Sequence, residues 1–291
     1  MMNDLIKLID ENLDKFLPVE YPEELFKSMR YTVLLEGKRL RPVLCLEVCR
    51  CLRGRVEDAL PTACAIEMLH SQTLIHDDLP CMDNDDFRRG KPSNHKVFGE
   101  ATAVLAGDAL ISYAAQVILR NSKNLPYETL FAVLDDFCTA AGARGVIAGQ
   151  VVDIEAEGHP EKHCAEKLNF IHEHKTGDLF KLAIVSGARI AGGSCEQIED
   201  AKKFARDFGL AFQIADDILD VVSDFETMGK TLGKDAQSGK LTYVTFYGLD
   251  NAKCKLACLL ENGDVIINKY NSELFREIVK GIRKRVGIQW L

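Results

Sequence analysis

The chain has 291 residues, enough for one large domain or two small ones, and enough to bury a substantial core. Its 44 acidic residues outnumber 36 basic ones, for a formal charge of -8, which argues against nucleic acid as the main partner because no broad basic face is available. Ten cysteines follow an N-terminus, Met1-Met2-Asn3-Asp4, that has no basic-then-apolar signal pattern, and no apolar run reads as a membrane span, so a reducing cytoplasm fits best.

No Pro/Gly/Ser-rich linker or charge block divides the sequence, so a single domain over 1–291 is expected. Helical periodicity dominates and sustained strand alternation is nearly absent. In chain order, the first feature is a basic run, Gly37-Lys38-Arg39-Leu40-Arg41-Pro42. Cys45 and Cys49 follow one helical turn apart in an apolar run, and this pair and Cys254/Cys258 read as core packing. After the joint Arg53-Gly54-Arg55, Ala63 to Asp78 reads as a helix in which Ile66, Leu69, His70, Thr73 and Asp77 share a face. Pro80 stops that helix, so Asp83 must reach back from a loop or distorted turn.

Further turns are expected at Gly90-Lys91-Pro92-Ser93-Asn94, Gly158-His159-Pro160, Gly192-Gly193-Ser194 and Glu261-Asn262-Gly263-Asp264. His159 and His163 have a metal-like spacing, but Pro160 between them favours a loop or helix start. Phe204 to Val222 reads as one helix: Phe204, Phe208, Ala211, Ala215, Ile218 and Val222 form an apolar stripe, and Gln213, Asp216, Asp217 and Asp220 lie opposite. The basic residues of Arg283 to Arg285 are ordinary partners for a helix C-terminus.

Two aspartate clusters stand out, Asp77-Asp78 with Asp83, and Asp216-Asp217 with Asp220. Crowded carboxylates repel unless solvent or a cation offsets their charge. An all-oxygen donor set suits Mg²⁺, which is usually shared between a few carboxylates and the phosphates of a substrate. A phosphorylated substrate needs cationic side chains, and the run Lys38-Arg39-Leu40-Arg41, Arg88, Arg89, Lys175, Lys230 and Lys240 are placed locally to supply them.

The run His70 to Gly90, the segment Gly37 to Pro42 and Phe212-Gln213-Ile214-Ala215-Asp216-Asp217-Ile218-Leu219-Asp220 together resemble the trans-prenyl diphosphate synthases. The likeness is to the bacterial farnesyl and bacterial/plant geranylgeranyl type, with two extra residues in the first aspartate motif. Asn94 to Glu100, Ala106 to Leu110, Gly149 to Asp153 and Lys175-Thr176-Gly177 also fit in order, over roughly residues 37 to 240. The resemblance implies an all-α fold around a central cavity, the two aspartate motifs facing each other across its mouth, and a homodimer.

It also implies a reaction, 1'-4 condensation of isopentenyl diphosphate with an allylic diphosphate. By that resemblance Asp77, Asp78, Asp83, Asp216, Asp217 and Asp220 form the metal set for three Mg²⁺ ions. Arg88, Lys175, Lys230 and Lys240 contact the allylic diphosphate, with Gln150 and Asp153 on a neighbouring helix. Thr176, Gln213 and the Lys175 carbonyl face the allylic cation, while Lys38, Arg41, His70 and Arg89 hold isopentenyl diphosphate without metal. Leaving pyrophosphate takes the final proton. A terpene cyclase would replace the second motif by an asparagine/serine/glutamate pattern and would not need a second diphosphate site. A non-catalytic subunit of a heteromeric synthase typically loses aspartates that this chain keeps.

Product length in the family depends on the floor beneath the first aspartate motif. Gln72 and Thr73 stand where farnesyl synthases carry a bulky ring, and Ala115 matches a second bulky position, which favours C20 over C15 product. Tyr113 or Phe131 is the alternative floor.

Overall fold

The computed structural model describes residues 1–222 and 239–287. The chain forms two compact units, one of Met1–Cys138 with Ser186–Gly193, the other of Thr139–Val185 with Ser194–Leu291. Helices make up nearly all of the regular structure of both, in agreement with the all-α expectation.

The first unit runs through α1 (Met2–Phe16), α2 (Glu23–Val33), α3 (Leu40–Cys51), α4 (Val56–Asp77), α5 (Asn94–Phe98), α6 (Glu100–Asn121) and most of α7 (Tyr127–Ala141). α3 and α4 are apolar on almost every side and form its centre: Leu44, Leu46, Ile66 and Leu69 have no exposed surface. Each such side chain contributes about 1.5–3 kcal/mol through burial. α4 begins earlier than the Ala63 read from sequence. It starts at Val56, where Glu57 and Asp58 complement the helix N-terminus, and carries Pro61 inside it. α4 ends at Asp77, as Pro80 requires, and α6 packs along it.

By length and composition α6 could cross a membrane, against the expectation that no segment could. Here it packs as a core helix, burying Ala103, Ala106, Leu110, Ala114, Val117 and Ile118. Between α4 and α5 the strands β1 (Phe87–Arg88) and β2 (Lys91–Pro92) pair antiparallel through a two-residue turn, Arg89-Gly90. Both turn residues have positive φ, 53° and 75°, as a tight hairpin turn of the primed type demands.

The second unit contains α8 (Val146–Ala156), a 3₁₀ turn at Pro160–Lys162, α9 (Ala165–Ile171) and a π-turn at His172–Gly177. The first part of α10 (Asp178–Ile190), α11 (Cys195–Val222), α12 (Tyr243–Tyr247), α13 (Leu249–Tyr270) and α14 (Glu273–Arg285) complete it. An aromatic chain knits this unit: Phe180 meets Phe208 edge-on at 5.3 Å, and Phe204 meets Phe275 edge-on at 5.0 Å. The turn expected at Glu261 to Asp264 does not form. α13 runs straight through it, because Gly263 lies on the α11 side, where an added Cβ would sit 3.5 Å from the Phe204 ring. The expected loop at His159–His163 is present, with Pro160 opening the 3₁₀ turn and His163 bonded to the Ala156 carbonyl at 3.1 Å.

All ten cysteines are free. Cys45, Cys49 and Cys64 are buried, and burial raises the thiol of Cys49 to about 11. Cys254 and Cys258 are exposed, not packed in a core as their apolar neighbours suggest.

Candidate active site

In the first unit, Lys38 and Arg39 lie in the short segment between α2 and α3, and Arg41 is in the first turn of α3. Arg41 Nη1 approaches His70 Nε2 on α4 at 3.4 Å. An arginine can only donate, so Nε2 accepts and the imidazole proton sits on Nδ1. Burial, reinforced by Arg41 and Arg89, pushes His70 well below the ordinary histidine range, so its ring is neutral at neutral pH.

Arg89, in the hairpin turn, donates to the Leu35 carbonyl at 3.2 Å and toward Glu67 Oε1 at 3.4 Å. Glu67 is only 1% exposed and also accepts from Arg39 Nη1 at 2.7 Å. Glu67 does not follow from the motif reading, and Arg39, read as part of the cationic run, is buried against it. The available signal was an acid inside the apolar run Ala63 to Leu69.

Asp77 is the last residue of α4 and half-buried; Asp83 is exposed. The Asp83 N–H donates to the Asp77 carbonyl at 2.9 Å, so the loop curls back toward the helix end, as Pro80 implied. Asp78 differs from its neighbours. It is 1% exposed and held by Arg88, which donates from Nε at 2.9 Å and also from Nη2 to the same carboxylate. Arg88 also reaches Asp85 at 3.4 Å.

Gln72 is buried, and its Nε2 lies 3.1 Å from His76 Nδ1. The other ring nitrogen of His76 lies 3.1 Å from the Val104 carbonyl on α6. A carbonyl only accepts, so that nitrogen carries the proton and Gln72 donates to Nδ1. Gly107 makes room for the ring, since a Cβ there would fall 2.0 Å from His76 Nε2. Thr73 bonds back to the His70 carbonyl at 2.8 Å, and Ala115 is half-buried on α6. Tyr113 is tied to the Phe16 carbonyl at 2.9 Å, while Phe131 is 62% exposed.

In the second unit, Lys175 and Thr176 sit in the π-turn, a one-residue widening of the helix that recurs at functional sites. α8 presses against this turn at Gly149, where a Cβ would lie 2.2 Å from the Lys175 amide nitrogen. Lys175 Nζ bonds to Asp153 of α8 at 2.5 Å, and Gln150 on the same helix is half-buried.

Thr176 donates its hydroxyl to Gln213 Oε1 at 2.6 Å, and Gln213 Nε2 donates to Asp217 Oδ1 at 2.8 Å. The amide orientation is fixed, because a carboxylate can only accept. Asp217 Oδ2 accepts the Tyr243 N–H at 2.7 Å, satisfying an otherwise orphaned donor at the start of α12, and His172 Nε2 is 3.5 Å away. Asp217 is therefore turned inward, 4% exposed, and does not lie on the open acidic face read from sequence. Asp216 is exposed and Asp220 half-buried, as is Lys240. Lys230 lies outside the described residues.

Among the described residues no three His, Cys, Asp or Glu side chains converge on one point as a metal cage. The donors that face outward are carboxylate oxygens, a chemistry that fits Mg²⁺ held jointly by protein and substrate phosphates.

A family model described as polyprenyl synthetase matches residues 22–275, which run through both units. A dimethylallyltranstransferase of Fischerella ambigua (strain UTEX 1903) is 47% identical over 253 residues, 87% of this chain and 73% of its own. Geranylgeranyl pyrophosphate synthase 7, chloroplastic, of Arabidopsis thaliana is 45% identical over 272 residues, 93% of this chain and 78% of its own. Among solved structures, an apo FPP/GFPP synthase from Zymomonas mobilis superposes with a TM-score of 0.84 at 33% identity, covering 96% of this chain and 97% of the other.

Proposed function

The chain belongs to the polyprenyl synthetase family and is a trans-prenyltransferase, and from that premise we propose that it condenses isopentenyl diphosphate with allylic diphosphates in a Mg²⁺-dependent reaction, with a C20 product favoured over C15. The observation that carries the site assignment is the repeated pairing of a buried aspartate with a more accessible one: Asp78 beside the half-buried Asp77, and Asp217 beside the exposed Asp216. In each pair the buried carboxylate is held by protein donors and steadies the turn that presents its neighbour. The metal set is accordingly Asp77, Asp83, Asp216 and Asp220, with Asp78 and Asp217 as struts in place of the ligand role their motif suggests. When bound, Mg²⁺ neutralises the charge that develops on departing pyrophosphate.

The chain's own residues do the rest. Lys175 adds a charge-assisted contact to the allylic diphosphate. The Thr176 hydroxyl gives its proton to Gln213, so its lone pairs face the allylic cation, and by family likeness the Lys175 carbonyl shares that role. Lys38, Arg41, Arg89 and the neutral His70 bind isopentenyl diphosphate without ionising it. The allylic carbon–oxygen bond breaks, C4 of isopentenyl diphosphate forms the new carbon–carbon bond, and the proton lost from C2 goes to pyrophosphate.

The exposed apolar residues Leu105, Leu119, Tyr127 and Phe131 on α6 and α7 support a homodimer, and the free thiols support a reducing compartment, the cytoplasm in our reading. We treat 1–291 as one catalytic domain.

Incubation of the purified chain with both substrates, followed by mass spectrometry of the products, tests the reading. We expect Mg²⁺-dependent chain elongation to C20. No condensation would favour a non-catalytic subunit, and a cyclised hydrocarbon from one substrate would favour a cyclase. Gln72→Tyr should shift the product toward C15 by filling volume beneath the first motif; an unchanged product would place the floor elsewhere.

A further inference from the structure

Two arginine side chains lie together in the first unit, and a single buried carboxylate serves both. Arg39 is 2% exposed, and all three of its guanidinium nitrogens donate within the protein. It donates from Nε to Asp10 at 2.7 Å, from Nη1 to Glu67 at 2.7 Å and from Nη2 to the Leu35 carbonyl at 2.9 Å. Arg89 shares two of these acceptors, Glu67 Oε1 at 3.4 Å and the Leu35 carbonyl at 3.2 Å. Like-charged guanidiniums this close repel, and Glu67 is the counter-charge that lets both stay.

The backbone is unusual at both arginines. Arg39 and Arg89 both occupy the left-handed region, at φ 45° and 53°. Gly37 packs so closely on Arg89 that a Cβ there would lie 2.7 Å from Nη1. The exposed Lys38 is the next residue along that loop. A buried ion pair is weak evidence for stability, because well-packed apolar residues often serve equally well. What Glu67 supplies here, and apolar packing could not, is an address for Arg89.

We propose that Glu67 is a positioning residue for isopentenyl diphosphate, fixing the Arg89 guanidinium and the Gly37-Lys38 backbone through the shared contacts with Arg39 and Leu35. Arg39 belongs to the anchor and does not touch substrate. Arg89 keeps N–H donors that neither Glu67 nor Leu35 uses, and these serve the phosphate.

The inference rests on the assignment of Arg89 to isopentenyl diphosphate, so Arg89→Ala is the control. If Arg89→Ala leaves the KM for isopentenyl diphosphate unchanged, that assignment fails. If it raises this KM and Glu67→Gln does not, only the present inference fails. For Glu67→Gln we expect KM for isopentenyl diphosphate to rise about tenfold, with kcat and the KM for dimethylallyl diphosphate changed by less than about twofold. Glu67→Asp, which keeps the charge, should recover part of the loss. Should Glu67→Gln not fold, the double variant Arg39→Met/Glu67→Met removes both charges at similar volume and should show the same selective rise. Equal effects on both substrates, an unchanged KM in whichever variant folds, or failure of both to fold would overturn the proposal, the last by assigning the pair to stability alone.

Discussion

Adjacent aspartates with opposite tasks should respond oppositely to the same substitution. Asp216→Asn changes an exposed side chain and should leave the melting temperature unchanged or higher. Its kcat should fall about 10²- to 10³-fold, the scale of the several kcal/mol that a metal ion supplies to a departing oxyanion. Asp217→Asn instead sets an amide NH₂ among the Tyr243 and Gln213 donors, and should lower stability by about 1–3 kcal/mol. Thermal unfolding beside steady-state kinetics separates the two; equal loss of stability in both would reject the division of labour. The sequence marks these acids as pairs, yet it cannot tell which of two neighbours is buried, because that depends on Arg88 and Tyr243, donors outside each pair. His70 offers a test by pH. Its folded pKa lies well below the ordinary value of about 6.5. The unfolded chain therefore binds the extra proton, and this contribution to stability is full above about pH 6.5 and falls as the pH drops toward the folded value. Between pH 7.5 and 5.5 the melting temperature should decline more steeply in the native protein than in His70→Gln, and parallel curves would show that another group sets the acid limit.

Helices were legible where periodicity and punctuation agreed, as in the end of α4 before Pro80 and the long apolar stripe of α11. Punctuation alone misled at Glu261 to Asp264, where asparagine and glycine suggested a turn but tertiary packing on Phe204 carried α13 through. The π-turn was invisible because one extra residue in a helical turn leaves no mark on a short apolar pattern. Its neighbour did leave a mark, Gly149, whose missing side chain admits the Lys175 backbone. Gly149→Ala would place a methyl 2.2 Å from that nitrogen, so either α8 or the turn must shift. Overpacking of this kind costs about 1–3 kcal/mol, and displacement of Lys175 and Thr176 should lower kcat as well. A variant with native melting temperature and native kcat would mean that the two segments separate freely.

At the scale of the whole molecule, all-helical class followed from periodicity, and membership of the family followed from motifs in order, but partnerships between distant segments did not. Glu67, His172 and Tyr243 carry no motif of their own, and each acquires its place only by meeting a residue already singled out. Exposed Leu105, Leu119, Tyr127 and Phe131 lie on helices that the sequence could mark as apolar without saying which face remained open. Leu105 is 59% exposed, so Leu105→Asp should leave the protomer folded while shifting its mass toward the monomer in light scattering. An unaltered mass would place the homodimer contact elsewhere, or exclude it if the native protein is itself monomeric.

The inward turn of Asp78 also bears on which insertions and deletions the gene could accept. A residue gained or lost within α4 between Glu67 and Asp77 would rotate everything beyond it by about 100° relative to the anchored Glu67. Neither the strut nor its neighbour would then keep its direction, and no single substitution would restore both. Length changes between lineages should therefore gather at joints such as Arg53-Gly54-Arg55, while the interval from Glu67 to Asp78 is inherited at fixed length even where its letters change.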